Sequence, residues 1–124
     1  MNCPDNKQKL IYVCSPLSAP TRAEMLANAA KAAAYMVRAE NEFGGRSVAP
    51  HAYLPYLLDD SVPEQRALAL EFDHKLLCMC SLLVVFGAHI SPGMQNEIAL
   101  ARTLGIPIEY RPDIEGHRYE RMMI

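Results

Sequence analysis

The sequence has no long apolar run, no surplus of one charge and no spaced cysteine pair, and each absence narrows what the chain can be. Its apolar runs, such as Leu82 to Phe86, are far short of the ~20 residues that a spanning helix needs, so no membrane partner is expected. Lys and Arg number 12 against 14 Asp and Glu, giving a formal charge of −2 and no basic surface for nucleic acid. Met1 to Lys9 is polar and lacks the apolar core of a signal peptide, so a cytoplasmic location is expected. Neither a GxGxxG string nor a phosphate-binding P-loop is present, which leaves dinucleotide and triphosphate binding without a motif. The cysteines are Cys3, Cys14, Cys78 and Cys80. They form no CxxC, and no Cys/His spacing typical of zinc occurs, so no metal and no cofactor is expected and the thiols are read as reduced.

What remains is an ordinary globular chain of 124 residues, 51% hydrophobic and 21% charged, read as one domain over 1–124 with short tails at 1–9 and 111–124. Apolar runs alternate with helical patterns. Leu10 to Cys14 reads as a buried strand, followed by the turn-prone Ser15 to Pro20. Thr21 to Phe43 reads as an alanine-rich helix ending at Gly44-Gly45, and Arg46 to Pro50 as a second strand before a loop, His51 to Asp60. Ser61 is placed as the cap of a helix that has Pro63 in its first turn and runs to about Cys80. Ser81 to Phe86 is the strongest strand signal. Ser91-Pro92 repeats the cap-then-proline pattern for a helix to about Leu104, Gly105 ends it, and Ile106 to Tyr110 is a last strand. Unalternated strands between helices imply a three-layer α/β/α fold with a mainly parallel sheet of four or five strands, flavodoxin-like or Rossmann-like, whose ligands sit at the carboxyl ends of the strands.

Two carboxylates fall on the wrong side of their helices. At about 100° per residue, Met94, Ile98, Leu100, Ala101 and Leu104 form an apolar arc, and Gln95, Asn96, Ala99, Arg102 and Thr103 fill the opposite side. Glu97 lies inside the apolar arc, between Ala101 and Leu104. On the preceding helix Ala69, Leu70, Phe72, Leu76, Leu77, Met79 and Cys80 form the arc, and Asp73 sits near its middle, with Arg66 two turns earlier on the same side. Burying an unpaired carboxylate costs several kcal/mol, so each residue has either a partner or a task. An Asp73–Arg66 pair is one account of Asp73. Residues seven apart lie about 10 Å apart along a helix axis, however, a poor distance for an ion pair.

With a tyrosine in the first strand, Asp73, and Ser91-Pro92-Gly93-Met94-Gln95-Asn96-Glu97 downstream, the chain resembles the nucleoside 2-deoxyribosyltransferases and the related deoxynucleoside-monophosphate N-glycosidases. Within that superfamily it is similar to small bacterial and phage proteins of unassigned function that share the Ile11 to Leu17 start and the Pro50-His51-Ala52-Tyr53 segment. The likeness spans roughly Leu10 to Tyr110. It implies that Glu97 is a nucleophile forming a glycosyl-enzyme, that Asp73 helps protonate the departing base, and that Tyr12 orients Glu97. It implies also that Ser91 and Gly93 hold the sugar 5′ end. An oxocarbenium-like transition state calls for such a pair of carboxylates, one as nucleophile and one as acid. Phosphate-preferring members carry an arginine in the loop after the first strand, near the place of Ser18 here, so nucleoside and 5′-monophosphate both stay open.

Ser15, Ser18, His51 and Asn96 complete the candidate substrate-binding set with Ser91 and Gly93. Tyr53 and Tyr56 could stack on a base or pack under the loop, and His74, His89 and His117 have no metal-ligand spacing. Cleavage or transfer of an N-glycosidic bond on a nucleoside or nucleotide is one functional expectation. A non-catalytic nucleotide-binding or sensing module on the same fold, and an oligomeric scaffold with vestigial carboxylates, are the alternatives. On the Thr21 to Phe43 helix the polar residues form one narrow stripe, which leaves a wider apolar face than one side of a sheet covers. A homodimer or higher homo-oligomer is therefore expected. Relatives complete their sites from a neighbouring subunit, so the tail Arg111 to Ile124 is expected to reach across.

Overall fold

Ile11, Val13, Leu83 and Val84 have no polar face to turn toward water, and the two strands that carry them occupy the middle of the sheet. The computed structural model describes residues 9–17, 19–50, 58–59, 61–114 and 116. Its elements are β1 (Leu10–Cys14), α1 (Arg22–Phe43), β2 (Arg46–Val48), α2 (Pro63–Cys78), β3 (Leu82–Phe86), α3 (Pro92–Leu104) and β4 (Ile108–Arg111). The sheet order is β2-β1-β3-β4, and every pairing is parallel. This is the expected three-layer fold with four strands, in the order of the flavodoxin-like sheets. No described helix is long and apolar enough to cross a membrane.

The direction of each crossover decides which face each helix covers. A right-handed connection from β1 to β2 runs one way across the sheet, while those from β2 to β3 and from β3 to β4 run the other. Thus α1 is the one helix among the described residues on the first face, with Ala32, Tyr35 and Ala39 over Ile11, Val13 and Val84. On the other face α2 and α3 lay Leu77, Met94, Ile98 and Ala101 over Tyr12, Cys14, Leu83 and Val85. Alternation along β1 therefore sends Tyr12 and Cys14 to the face that α2 and α3 share.

Element ends follow local chemistry. Thr21 caps α1, its Oγ1 accepting from Glu24 N–H at 3.2 Å, and Ser91 caps α3, its Oγ accepting from Met94 N–H at 3.2 Å. Gly105, at φ 73°, closes α3 in a Schellman motif: Ile106 N–H donates to Ala101 C=O and Gly105 N–H to Arg102 C=O. That use of Ile106 moves the start of β4 from the expected Ile106 to Ile108. Likewise β2 stops at Val48 rather than Pro50, because proline has no N–H for the ladder. Ser61 does not cap α2. Val62 holds that position, while Ser61 Oγ donates to Asp59 Oδ1 at 2.7 Å. Arg111 belongs to β4, not to a tail, and is anchored on α1 through Glu42 at 2.6 Å.

Gly45 sits at φ 82°, and a Cβ there would lie 2.5 Å from the Lys9 carbonyl oxygen, which already accepts from Arg46 N–H at 3.1 Å. Gly45→Ala combines a left-handed backbone with a clash against main chain. We expect it to lower stability by at least about 2 kcal/mol, read as a fall in the urea midpoint at unchanged m.

The α2 helix departs most from its expected packing. Leu77 and Cys80 of the projected arc are buried and Ala69 and Leu76 half-buried, but Leu70, Phe72 and Met79 are 52%, 45% and 50% exposed, and Leu68 outside the arc is 55% exposed. On this face α3 is the more deeply seated helix: Met94, Ile98 and Ala101 are all buried. On α1, by contrast, the exposed side is mostly alanine, with Val37 its one large exposed apolar residue.

Candidate functional site

The strand order reverses between β1 and β3, so the loops leaving those two strands diverge toward opposite faces and open a crevice at their carboxyl ends. On the α1 side a cavity of about 150 Å³ lies there, lined in part by Pro16, Asn28, Lys31 and Gly87. On the opposite side stand the carboxylates.

Glu97 lies three residues after Met94 and four before Ala101, both buried, so the helix turns its side chain toward the sheet. There Tyr12 Oη donates to Glu97 Oε2, and Cys14 Sγ donates to Glu97 Oε1 at 3.4 Å. The two donors sit two positions apart on one strand face, paired across to Leu83 and Val85 of β3, which fixes their spacing. Asp73 reaches the same cluster from α2. Its Oδ1 is buried, and its charge acts on both Tyr12 and Cys14.

This electrostatic setting assigns protonation states to the strand residues. Burial, then the charge of Glu97, then that of Asp73 push the Tyr12 phenol far above its ordinary 10.0. Cys14 is pushed well above 9.0 by burial first and then by the Glu97 charge. Both stay neutral donors across the physiological range, and a buried thiol held protonated is not a nucleophile. The sign of the effect on stability follows. Both folded values exceed their unfolded ones, so above about pH 9 the unfolded chain binds fewer protons than the folded one, and stability falls as pH rises. The expected loss begins near pH 9 at about 1.4 kcal/mol per pH unit from Cys14, and steepens near pH 10 as Tyr12 adds its share. Urea midpoints against pH check this. Cys14→Ala should remove the component that begins near 9, and a flat profile through about pH 11 would contradict it.

The remaining candidates spread around this centre. Ser91 is half-buried at the amino end of α3, its hydroxyl engaged by Met94 N–H and its own N–H donating to Met94 Sδ at 3.5 Å. At Gly93 a Cβ would meet only Ser91 Oγ, at 4.0 Å, so the fold itself does not require glycine there. Asn96 is exposed on the far side of α3 from the sheet. Ser15, placed among the substrate contacts by sequence, is buried at the end of β1. Ser18, His51, Tyr53, Tyr56 and His117 lie outside the described residues. His89 and Arg102 line a separate cavity of about 390 Å³ beside Tyr110 of β4, which includes neither Glu97 nor Tyr12.

Cys14 is the participant that sequence reasoning passed over. Its signal was present: a residue two positions after an inward tyrosine on the same strand shares its face. Cys78 also differs from expectation. It is disulfide-bonded, while Cys14 and Cys80 carry thiols. The helix end separates the C-x-C pair, and Cys80 Sγ donates instead to Leu76 C=O at 3.3 Å.

The arrangement can perform nucleophilic and acid chemistry with two carboxylates of unlike surroundings, one clamped by neutral donors and one on the neighbouring helix. No curated protein matches the chain. One family model does, over residues 9–111, from the residue before β1 to the last residue of β4, and so the chain belongs to the family described as Domain of unknown function (DUF7768).

Proposed function

We propose that the protein breaks or transfers the N-glycosidic bond of a (deoxy)nucleoside or nucleoside 5′-monophosphate, through a covalent glycosyl-enzyme on Glu97. The observation that carries this is the clamp on Glu97: a carboxylate drawn to the sheet, held on both oxygens by neutral donors, with Asp73 beside it. Glu97 attacks the anomeric carbon, Asp73 serves the departing base, and Tyr12 orients Glu97. The resemblance to the deoxyribosyltransferases and nucleotide N-glycosidases supports these roles. The resemblance assigns the sugar 5′ end to Ser91 and Gly93, and the backbone N–H groups and dipole at the amino end of α3 would favour a 5′-phosphate there. A cytoplasmic location is part of the same proposal. Incubation with a panel of nucleosides and 5′-monophosphates, with chromatography for free base, tests the reading; an added acceptor base separates transfer from hydrolysis. Saturable nucleotide binding without release of any base would replace it with the sensing-module alternative.

We also propose a homo-oligomer, with its contact moved from α1 to α2. A 16-residue helix with Leu77 and Cys78 as its buried residues lacks the tertiary cover that holds helices of this length in water. Leu68, Leu70, Phe72 and Met79 supply apolar surface for a second copy, on the helix that carries Asp73. Light scattering at micromolar concentration should show at least a dimer, and Phe72→Glu should shift it to monomer with the fold retained. A monomeric parent protein would refute the proposal.

A further inference from the structure

The two oxygens of Glu97 are held by donors of unequal strength. Oε2 takes the phenol of Tyr12, a strong donor, and Oε1 takes the thiol of Cys14, a weak one. Cys14 is completely buried at the last position of β1, and its backbone is paired with Val85 in the middle of the sheet. Its sulfur therefore cannot follow a moving carboxylate, and it has no path to solvent. It is a fixed point against which Oε1 rests.

We infer that Cys14 is a positioning residue that presents Glu97 Oε1 as the attacking atom, while Tyr12 carries Oε2. This assignment rests on the glycosyl-transfer chemistry proposed above. A lone pair on Oε1 forms the bond to the anomeric carbon as the C–N bond breaks. Asp73 enters this step in its protonated form: the electron pair of the C–N bond leaves with the base, which takes that proton. Water then attacks the same carbon, the Glu97 carboxylate departs, and the proton of the water returns to Asp73. A strong donor on the attacking oxygen would withdraw the electron density that the first step needs; a thiol orients the oxygen and withdraws little. The same weakness explains the division of labour: the oxygen that does not attack carries a phenol without loss, whereas on the attacking one a stronger donor would still orient the oxygen but would take back part of its reactivity.

Three substitutions and one spectrum test this. Cys14→Val keeps an apolar side chain of similar size and removes the donor; Cys14→Ala removes donor and bulk; Cys14→Ser restores a donor of the stronger kind. With melting temperature followed for each, Cys14→Val and Cys14→Ala should lower kcat for base release by roughly tenfold with KM within about twofold, and Cys14→Ser should recover part of the loss. A Cys14→Val protein with the kcat of the parent would overturn the inference, as would losses that follow side-chain size alone, with Cys14→Ser no better than Cys14→Ala, the pattern expected of packing. The S–H stretching band of Cys14, identified by its disappearance in Cys14→Ala, gives a readout that needs no turnover. It should lie at the low frequency of a thiol bonded to carboxylate and move up in Glu97→Ala. If the band stays in place, the Cys14 assignment fails. If the band moves but the parent releases no base, the thiol–carboxylate contact stands, and the attacking role falls together with the glycosidase reading.

Discussion

Glu97→Ala should abolish base release while leaving the protein folded. The loss in kcat/KM is expected to be at least about 10³-fold, because a covalent route loses the atom that forms the bond, and the donors left behind cannot supply another. The effect on stability should be modest. The groups on the Glu97 carboxylate are a neutral phenol and a neutral thiol, so truncation leaves two unsatisfied donors and no unpaired charge. That costs about 1–3 kcal/mol for the phenol and little for the thiol, which is a weak donor. Were Glu97 instead the partner of a buried cation, its removal would cost roughly 3–5 kcal/mol. Melting temperature beside activity separates the two accounts. A steep fall in stability, from a parent protein that releases no base, would make Glu97 a structural residue.

Asp73→Asn is the second large effect, and its signature is selectivity rather than magnitude. A general acid contributes about 10²–10⁴-fold where the leaving group needs protonation, and little where it leaves readily as an anion. For substrates with ordinary bases the variant should slow by that factor; for a nucleoside with an activated base it should approach the parent rate. A uniform loss across the series would reassign Asp73 to binding or folding. Tyr12→Phe provides the scale for both. It removes one orienting hydrogen bond, worth about 1–2 kcal/mol and so about tenfold in rate, and a larger loss than that of Asp73→Asn on ordinary bases would reverse the assigned roles.

Much of the framework was legible in the residues because short-range chemistry decided it. Leu10 to Cys14 and Leu82 to Phe86 are apolar without alternation, and only a strand covered on both faces accepts such a run. The ends of α3 were marked by Ser91 and Gly105, a side-chain acceptor for the first turn and a left-handed residue after the last. Glu97 stood out because a periodicity of 3.6 puts it among residues that must be buried, whatever they are buried against.

Tertiary structure decided the rest. Nothing in the local sequence joins Cys14 to Glu97, which are 83 positions apart; the contact exists because the crossover from β2 to β3 sets β3 beside β1 and the crossover from β3 to β4 lays α3 over that face. The exposure of α2 was equally hidden. Its helical projection shows an apolar arc, but an arc is only a demand for cover, and in the folded chain much of this one stays exposed while α3 is seated more deeply. The start of β4 moved for a like reason, since Ile106 gives its N–H to the end of α3 before a strand can use it. Periodicity and capping are properties of neighbours along the chain, and the sequence by itself determined which segments are strands and helices and which carboxylate faces inward. The partners of that carboxylate, and the surface left without cover, depend on the order in which the strands assemble, and only the folded sheet decides them.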